Sequence, residues 1–235
     1  MKTTGLIGGM SWESSIEYYQ IINEAVRAKL GGLHSAKCIM YSVNFAEIEP
    51  LQHQAKWNEA TQLMIAAAKS VERGGADFVI FCTNTMHKVA DEVQKHIQIP
   101  ILHIADATAE RIKAQGMKKV GLLGTKFTME GDFYKDRLIQ KHNLEVMIPT
   151  AVEREIVHRV IYDELCVGEI KQSSKMKYMD IIERFAQDGA EGIILGCTEI
   201  GLLVKKEDSR VLLFDTTRIH AEAAVEYALE PKTLR

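Results

Sequence analysis

The sequence predicts an α/β fold built from two pseudo-symmetric, doubly wound halves with mainly parallel sheets. Three observations carry that prediction. Short β-rich runs alternate with longer amphipathic stretches from end to end. The β-rich runs are continuously apolar, the pattern of parallel strands covered on both faces. Three pairs of segments also recur in the same order at similar spacings, which is how a duplication shows in sequence.

Strands are predicted at Thr4–Gly8, Lys37–Val43, Asp77–Cys82, Ile101–Ile104, Lys119–Gly124, Leu144–Ile148, Gly192–Gly196 and Val211–Phe214. Between them, "WNEATQLMIAAAKSVERGG" spaces Leu63, Ile65, Ala66 and Val71 helically and stops at Gly74-Gly75. "EIVHRVIYDELCVGEI" repeats the device, with Ile156, Val160, Ile161 and Leu165 on one stripe and Gly168 as the stop. Long amphipathic stretches between apolar runs are the mark of βαβ units.

The repeat is specific. "GADFVIFCTNT" from Gly75 aligns without a gap on "GAEGIILGCTE" from Gly189, placing Asp77 over Glu191, Ile80 over Ile194 and Thr83 over Cys197. "GLIGG" from Gly5 pairs with "GLLGT" from Gly121, and "IADAT" from Ile104 with "LFDTT" from Leu213, which sets Asp106 over Asp215. The expected halves are residues 1–105 with 216–235, and residues 106–215.

Composition narrows the function. A net charge of −3 with scattered lysines argues against a nucleic-acid partner. No apolar run approaches the roughly 20 residues of a membrane span, and "MKTTGLIGGMSWES" lacks the signal-peptide pattern, so a cytoplasmic protein without a membrane partner is expected. The 4 cysteines, Cys38, Cys82, Cys166 and Cys197, form no C-x-x-C pair, and the 8 histidines show no metal-ligand spacing. "GLIGGMS" matches neither nucleotide-loop motif. No metal or cofactor is therefore expected.

In open parallel sheets the ligand crevice lies beyond the carboxyl ends of the strands. Gly8-Gly9-Met10-Ser11, Asn44, Thr83-Asn84-Thr85, Gly124-Thr125 and Cys197-Thr198-Glu199 all fall there. Two halves facing each other would set Thr83 and Cys197 on opposite walls of one cleft. That suits inversion at a stereocentre, where one group removes a proton from one face and another returns it from the opposite face. A cysteine pKa of about 8.5 can be lowered by donors and helix N-termini, and "TNTMHKVADEVQ" and "CTEIGLLV" both read as helix starts.

"GLIGGMSWES", "CTNTMH", "GLLGTKFTM" and "GCTEI" together resemble the aspartate/glutamate racemase family, the cofactor-independent amino-acid racemases, over essentially the whole chain. The likeness is greatest to the broad-specificity amino-acid racemase branch. It implies an isomerase acting on a small amino-acid substrate, and a homodimer. Cys197 would be the acid/base for the L-enantiomer and Thr83 would stand where the usual motif has cysteine. Asn84, Thr85, Thr125 and Thr198, with the Gly9-Met10 backbone, would hold the α-carboxylate and amino group. Gln52 would reach the ligand from the loop after the second strand, and Glu199 belongs to the same substrate-binding set. Threonine is a poorer base than thiolate, so the reaction is expected to run faster from L to D. Cys82, on the other side of its strand by alternation, reads as structural.

The residues also set the substrate question. Acidic-substrate members use basic side chains for the distal carboxylate, yet the loop "NFAEIEPLQHQ" has no Arg or Lys, and Cys166 follows "DEL". A small neutral or polar amino acid such as homoserine stands beside glutamate and aspartate, with Lys126 as an alternative cation or a solvated surface lysine. His87 reads equally as a cap, a packing residue or a catalytic group. His103 reads as a hydrogen-bonded core histidine, and Asp106 and Asp215 as N-caps. A single-thiol decarboxylase or isomerase, and an amino-acid-binding protein that has lost catalysis, remain the alternatives.

Overall fold

The computed structural model describes residues 1–231, so the last four residues of the expected first half, 232–235, lie outside the described residues. The chain divides into two compact units: Met1–Ile104 together with the chain from His220, and Ala105–Ile219.

The first unit is a three-stranded parallel sheet of order β2-β1-β3, from β1 (Thr4–Gly8), β2 (Cys38–Ser42) and β3 (Phe78–Phe81). Its helices are α1 (Trp12–Leu30), α2 (Phe45–His53), α3 (Trp57–Arg73) and α4 (Ala90–Gln94). Alternation along β3 sends Val79 and Phe81 to one face, against Ala60, Met64, Ala67, Ala68 and Val71 of α3. Phe78, Ile80 and Cys82 go to the other, against Tyr18, Ile21, Ile22 and Val26 of α1. Both faces are covered, which is why the strand reads as an unbroken apolar run. Burying Met64, Ile65 or Val71 stabilises the unit by roughly 2 kcal/mol each. The stripe read from the sequence is rotated, because Leu63 is exposed and Ala66 faces out while Met64 and Ala67 point inward.

The second unit holds a four-stranded parallel sheet of order β5-β4-β6-β7. Its first helix is α5 (Ile104–Ala114), followed by β4 (Lys119–Gly124), α6 (Lys126–Glu130), α7 (Asp132–Asp136), β5 (Glu145–Met147) and α8 (Ala151–Asp163). Then come α9 (Gln172–Gln187), β6 (Gly192–Gly196), α10 (Ile200–Leu203), β7 (Leu212–Asp215) and α11 (Thr216–Leu229), whose later residues Ala221, Ala224 and Val225 pack in the first unit.

The duplication is written into bonds as well as letters. Helix α3 gives way to a left-handed Gly75 (φ +95°) and α9 to a left-handed Gly189 (φ +90°), a conformation that favours glycine. Asp77 accepts from Thr3 N at 2.6 Å and donates its own amide to Thr3 O at 2.8 Å. Glu191 accepts from Lys118 N and Lys119 N at 2.6 and 2.9 Å and donates its amide to Lys119 O at 2.8 Å. Each acidic side chain thus clamps the amino end of the neighbouring strand.

Four sequence expectations are corrected. Residues 101–104 form no strand: Ile101 makes one isolated bridge to Val79, and α5 already begins at Ile104. Pro100 has no N–H to give a ladder, and the Ile104 N–H goes to His87 Nε2. The segment after β2 is helix α2, capped by the Asn44 side chain, despite Pro50 inside it. Asp106 is no N-cap; it lies within the first turn of α5 and gathers Arg137, Lys141 and His142 at 2.6–2.8 Å. Burial raises its carboxyl, but those three hydrogen bonds outweigh burial and hold it well below the usual carboxylate range. Asp215 does cap its helix, accepting from Thr217 N and Arg218 N. Finally, Lys126 is neither solvated alone nor held open, because its ammonium pairs with Glu155.

Candidate active site

In the first unit the carboxyl ends of β1 and β3 lead into Gly9–Ser15 and Cys82–His87. The chain turns at Gly9 with φ +89°, where a Cβ would run into Val43 O. The Gly9 N–H is donated to Ser15 Oγ at 2.7 Å, so it is committed within the protein and not held open for a carboxylate. Ser11 caps α1, and Ser14 Oγ lies 2.9 Å from Ser11 O and 3.0 Å from Cys82 O. These bonds tie the start of α1 to the end of β3. Met10 is buried against the α3 side of the sheet.

Thr83, Asn84 and Thr85 are buried at the end of β3. The helix expected there is a 3₁₀ turn, Thr85–Val89, followed by the short α4. Cys82 is fully buried, and burial pushes its thiol far up, which leaves it inert. Gln52 is buried on α2 with Nε2 3.1 Å from Met86 Sδ, and its Oε1 has no hydrogen-bond partner. Gln52 therefore abuts the Thr83–Met86 turn.

Beneath that turn lies a histidine cluster. His87 Nε2 accepts from Ile104 N at 3.2 Å, so Nδ1 carries the proton and donates to Thr83 O at 2.8 Å. His87 thus fixes the backbone of Thr83. His103 and His220 have ring centroids 4.6 and 5.5 Å from His87, and Tyr18 Oη and Leu102 O bracket the two nitrogens of His220 at 2.8 and 2.9 Å. Burial, then His103 and His220, hold His87 well below its ordinary pKa, and burial takes His220 down to about 4.

In the second unit β4 and β6 lie side by side, with Gly124 in register with Gly196. Beyond them stand Thr125, the buried cap of α6, and Cys197-Thr198-Glu199. Cys197 Sγ donates to Glu199 Oε2 at 2.9 Å, and Thr198 Oγ1 donates to the same oxygen at 2.5 Å. Tyr178 of α9 is fully buried with its hydroxyl on Val157 O at 3.1 Å, and burial, then Cys197, Glu164 and Cys166, push its pKa well up. Cys166 sits in the 3₁₀ turn Leu165–Val167. The expected thiolate is not what this setting favours. Burial first, and then the Glu199 carboxylate, raise the Cys197 pKa well above its ordinary value. The helix that would oppose them is the four-residue α10. Cys197 rests as a thiol.

Residues 7–224 match the sequence profile of the Asp/Glu/Hydantoin racemases. The chain belongs to this family. Among its racemase relatives, the broad specificity amino-acid racemase RacX of Bacillus subtilis (strain 168) is 24% identical over 231 residues, covering 94% of this chain and 96% of RacX. A Yersinia pestis structure designated an Asp/Glu racemase shares 55% identity and a TM-score of 0.93, over 98% of this chain and 100% of that one. An aspartate racemase homologue from Pyrococcus horikoshii OT3 shares 40% identity at a TM-score of 0.85, again over 98% and 100%. The relatives are named racemases, which are isomerases. Among the described residues no helix is long and apolar enough to cross a membrane.

Within this racemase-family chain, the predicted residues Gly9, Met10, Gln52, Thr83, Asn84 and Thr85 lie in the first unit, and Thr125, Cys197, Thr198 and Glu199 in the second. Sequence reading missed Ser14 and Ser15, although "SWESS" directly follows the glycine turn and small hydroxyls there invite bonds to a strand end. It also missed Tyr178, which lies on an amphipathic helix where nothing local marks it out.

The histidine cluster has a measurable consequence. Unfolded, His220 takes up a proton near pH 6.5; folded, it stays neutral down to about 4. The unfolded chain therefore binds more protons in that window, and stability falls as pH drops from about 6.5 to 4, by about 3 kcal/mol for His220 alone. Urea unfolding at pH 7 and pH 4.5 should show the lower midpoint at pH 4.5. Equal midpoints would refute the effect.

Proposed function

We propose that the protein is a cofactor-independent amino-acid racemase in which Thr83 and Cys197 exchange protons with opposite faces of one substrate Cα. The observation that carries this reading is the repeat. Thr83 and Cys197 occupy equivalent positions past the ends of the equivalent strands β3 and β6, and each side chain bears an exchangeable proton. Family membership and the racemase names of its relatives support the same chemistry. In this mechanism Cys197 first gives its thiol proton to water and the thiolate removes the α-proton of an L-amino acid; the electron pair stays on the planar carbanion, and the Thr83 hydroxyl protonates it from the other side and recovers a proton from water. Asn84, Thr85 and Thr125 supply neutral donors for the α-carboxylate, and Thr198, whose hydroxyl proton is given to Glu199, offers an acceptor for the ammonium.

The substrate set is broad or small and polar, with homoserine, glutamate and aspartate inside it. Gln52 supports this, being a neutral amide with an unmet acceptor, where a cation would select a distal carboxylate. Incubating a panel of L-amino acids in D2O should show α-deuterium incorporation with inversion. Release of CO2 would instead reveal a decarboxylase, and binding without exchange a catalytically silent site.

A further inference from the structure

We propose that His87 is a positioning residue for proton transfer at Thr83, acting through the hydrogen bond from its ring to the Thr83 carbonyl. This rests on the racemase reading of Thr83. Thr83 lies between two peptide groups, and each is pinned at its carbonyl oxygen. Cys82 O accepts from Ser14 Oγ at 3.0 Å, and Thr83 O accepts from His87 Nδ1 at 2.8 Å. Rotation about both backbone bonds at the Thr83 Cα is therefore held from either side. A β-branched side chain has few rotamers to choose from, so fixing the backbone also fixes where Oγ1 points. Among the described residues nothing holds the hydroxyl itself. The place of the proton donor is set by its frame.

The ring is locked into making this bond. His87 is 2% exposed, and a neutral imidazole has one donor and one acceptor. The Ile104 N–H occupies the acceptor Nε2 at 3.2 Å, which leaves the proton on Nδ1, aimed at Thr83 O. Phe81, His103 and His220 surround the ring with centroids 5.3, 4.6 and 5.5 Å away and hold its plane. His220 is itself fixed by Tyr18 Oη and Leu102 O. With both nitrogens engaged, the ring can neither flip nor move its proton without leaving a buried N–H unpaired.

Misplacing a reacting group by about 1 Å costs on the order of 100-fold in rate. Losing the His87 bond therefore acts on one proton transfer of the two. Once Cys197 has taken the α-proton, the carbanion is quenched by the sulfur, which returns the L-isomer, or by Thr83, which gives the D-isomer. In D2O a thiol that has exchanged with solvent delivers deuterium on the first route, and the Thr83 hydroxyl delivers it on the second. The early ratio of deuterated L-isomer to deuterated D-isomer reports how well Thr83 competes, whatever the amount of folded enzyme.

The test measures that ratio in the intact wild-type protein, His87→Asn and His87→Gln, starting from an L-amino acid. An asparagine amide reaches the place of Nδ1 and a glutamine amide that of Nε2, so the first keeps the donor at Thr83 O and the second does not. His87→Gln should raise the ratio about tenfold, while His87→Asn stays within about threefold of wild type. A ratio unmoved in His87→Gln, or raised equally in both variants, would overturn the proposal and leave His87 a packing residue. Proton–nitrogen correlation spectra of the wild-type histidine rings give a second reading that needs no variant. They should show His87 as the Nδ1–H tautomer, and an Nε2–H tautomer would overturn the proposal as well. Failure of the racemase reading is distinguishable, because wild type would then yield no deuterated D-isomer while the His87 tautomer stands.

Discussion

Replacing Cys197 with serine is expected to abolish α-proton exchange from L-amino acids, with a loss of about 1,000-fold or more. The physical reason is acidity. Serine is nearly isosteric and could still donate to Glu199, but its hydroxyl gives up a proton far less readily than a thiol. The fold should survive, since Cys197 is partly exposed, lies beyond the end of β6, and is replaced by a side chain of nearly the same size. Circular dichroism and thermal unfolding of Cys197→Ser should match wild type, while deuterium incorporation from L-substrate in D2O falls to background. Exchange retained within a few fold of wild type would remove Cys197 from the chemistry. It would also leave the racemase reading without a base on the L side.

The second large effect concerns direction. With a thiol on one side and a hydroxyl on the other, saturating turnover from L to D should exceed that from D to L by at least about tenfold. The two values of kcat/KM must nonetheless agree, because the equilibrium constant between enantiomers at one stereocentre is unity. The asymmetry must therefore reappear in KM, with the D-isomer saturating at lower concentration. Thr83→Cys should raise the D-to-L turnover number by about tenfold and bring the two KM values together. Initial rates from each enantiomer, followed by chiral chromatography, decide the matter. Equal turnover numbers in the wild-type protein would sink the asymmetry. The backbone of Thr83 is held by His87 Nδ1 through its carbonyl, a bond the substitution leaves intact.

Much of the fold was legible because parallel strands covered on both faces must be apolar throughout, as in Phe78–Phe81 and Gly192–Gly196. The repeat was legible because left-handed turns at Gly75 and Gly189 and the acids after them leave few residue choices. Residues 101–104 were misread because a short apolar run after proline looks the same whether it pairs or merely packs. Helix α2 was hidden by Pro50, which ordinarily argues against a helix. In the candidate site, the positions of Thr83 and Cys197 at strand ends followed from pattern alone. The protonation of Cys197 did not, since it depends on the rotamer that brings Glu199 Oε2 to the sulfur. The cluster on Asp106 was equally invisible, because Arg137, Lys141 and His142 lie more than thirty residues away in sequence.

The paired clamps of Asp77 on Thr3 and Glu191 on Lys118 and Lys119 lie at the amino ends of the strands, while Thr83 and Cys197 follow the carboxyl ends. Each half therefore keeps its architecture at one rim and its candidate site residues at the other. An evolving lineage can rewrite the working rim, exchanging cysteine for threonine or one carboxylate for another, without touching the bonds that set strand order. The duplicated frame is a chassis with two exchangeable sockets, and under the proposed mechanism a difference between them would make one direction of a symmetric reaction faster at saturation without moving its equilibrium.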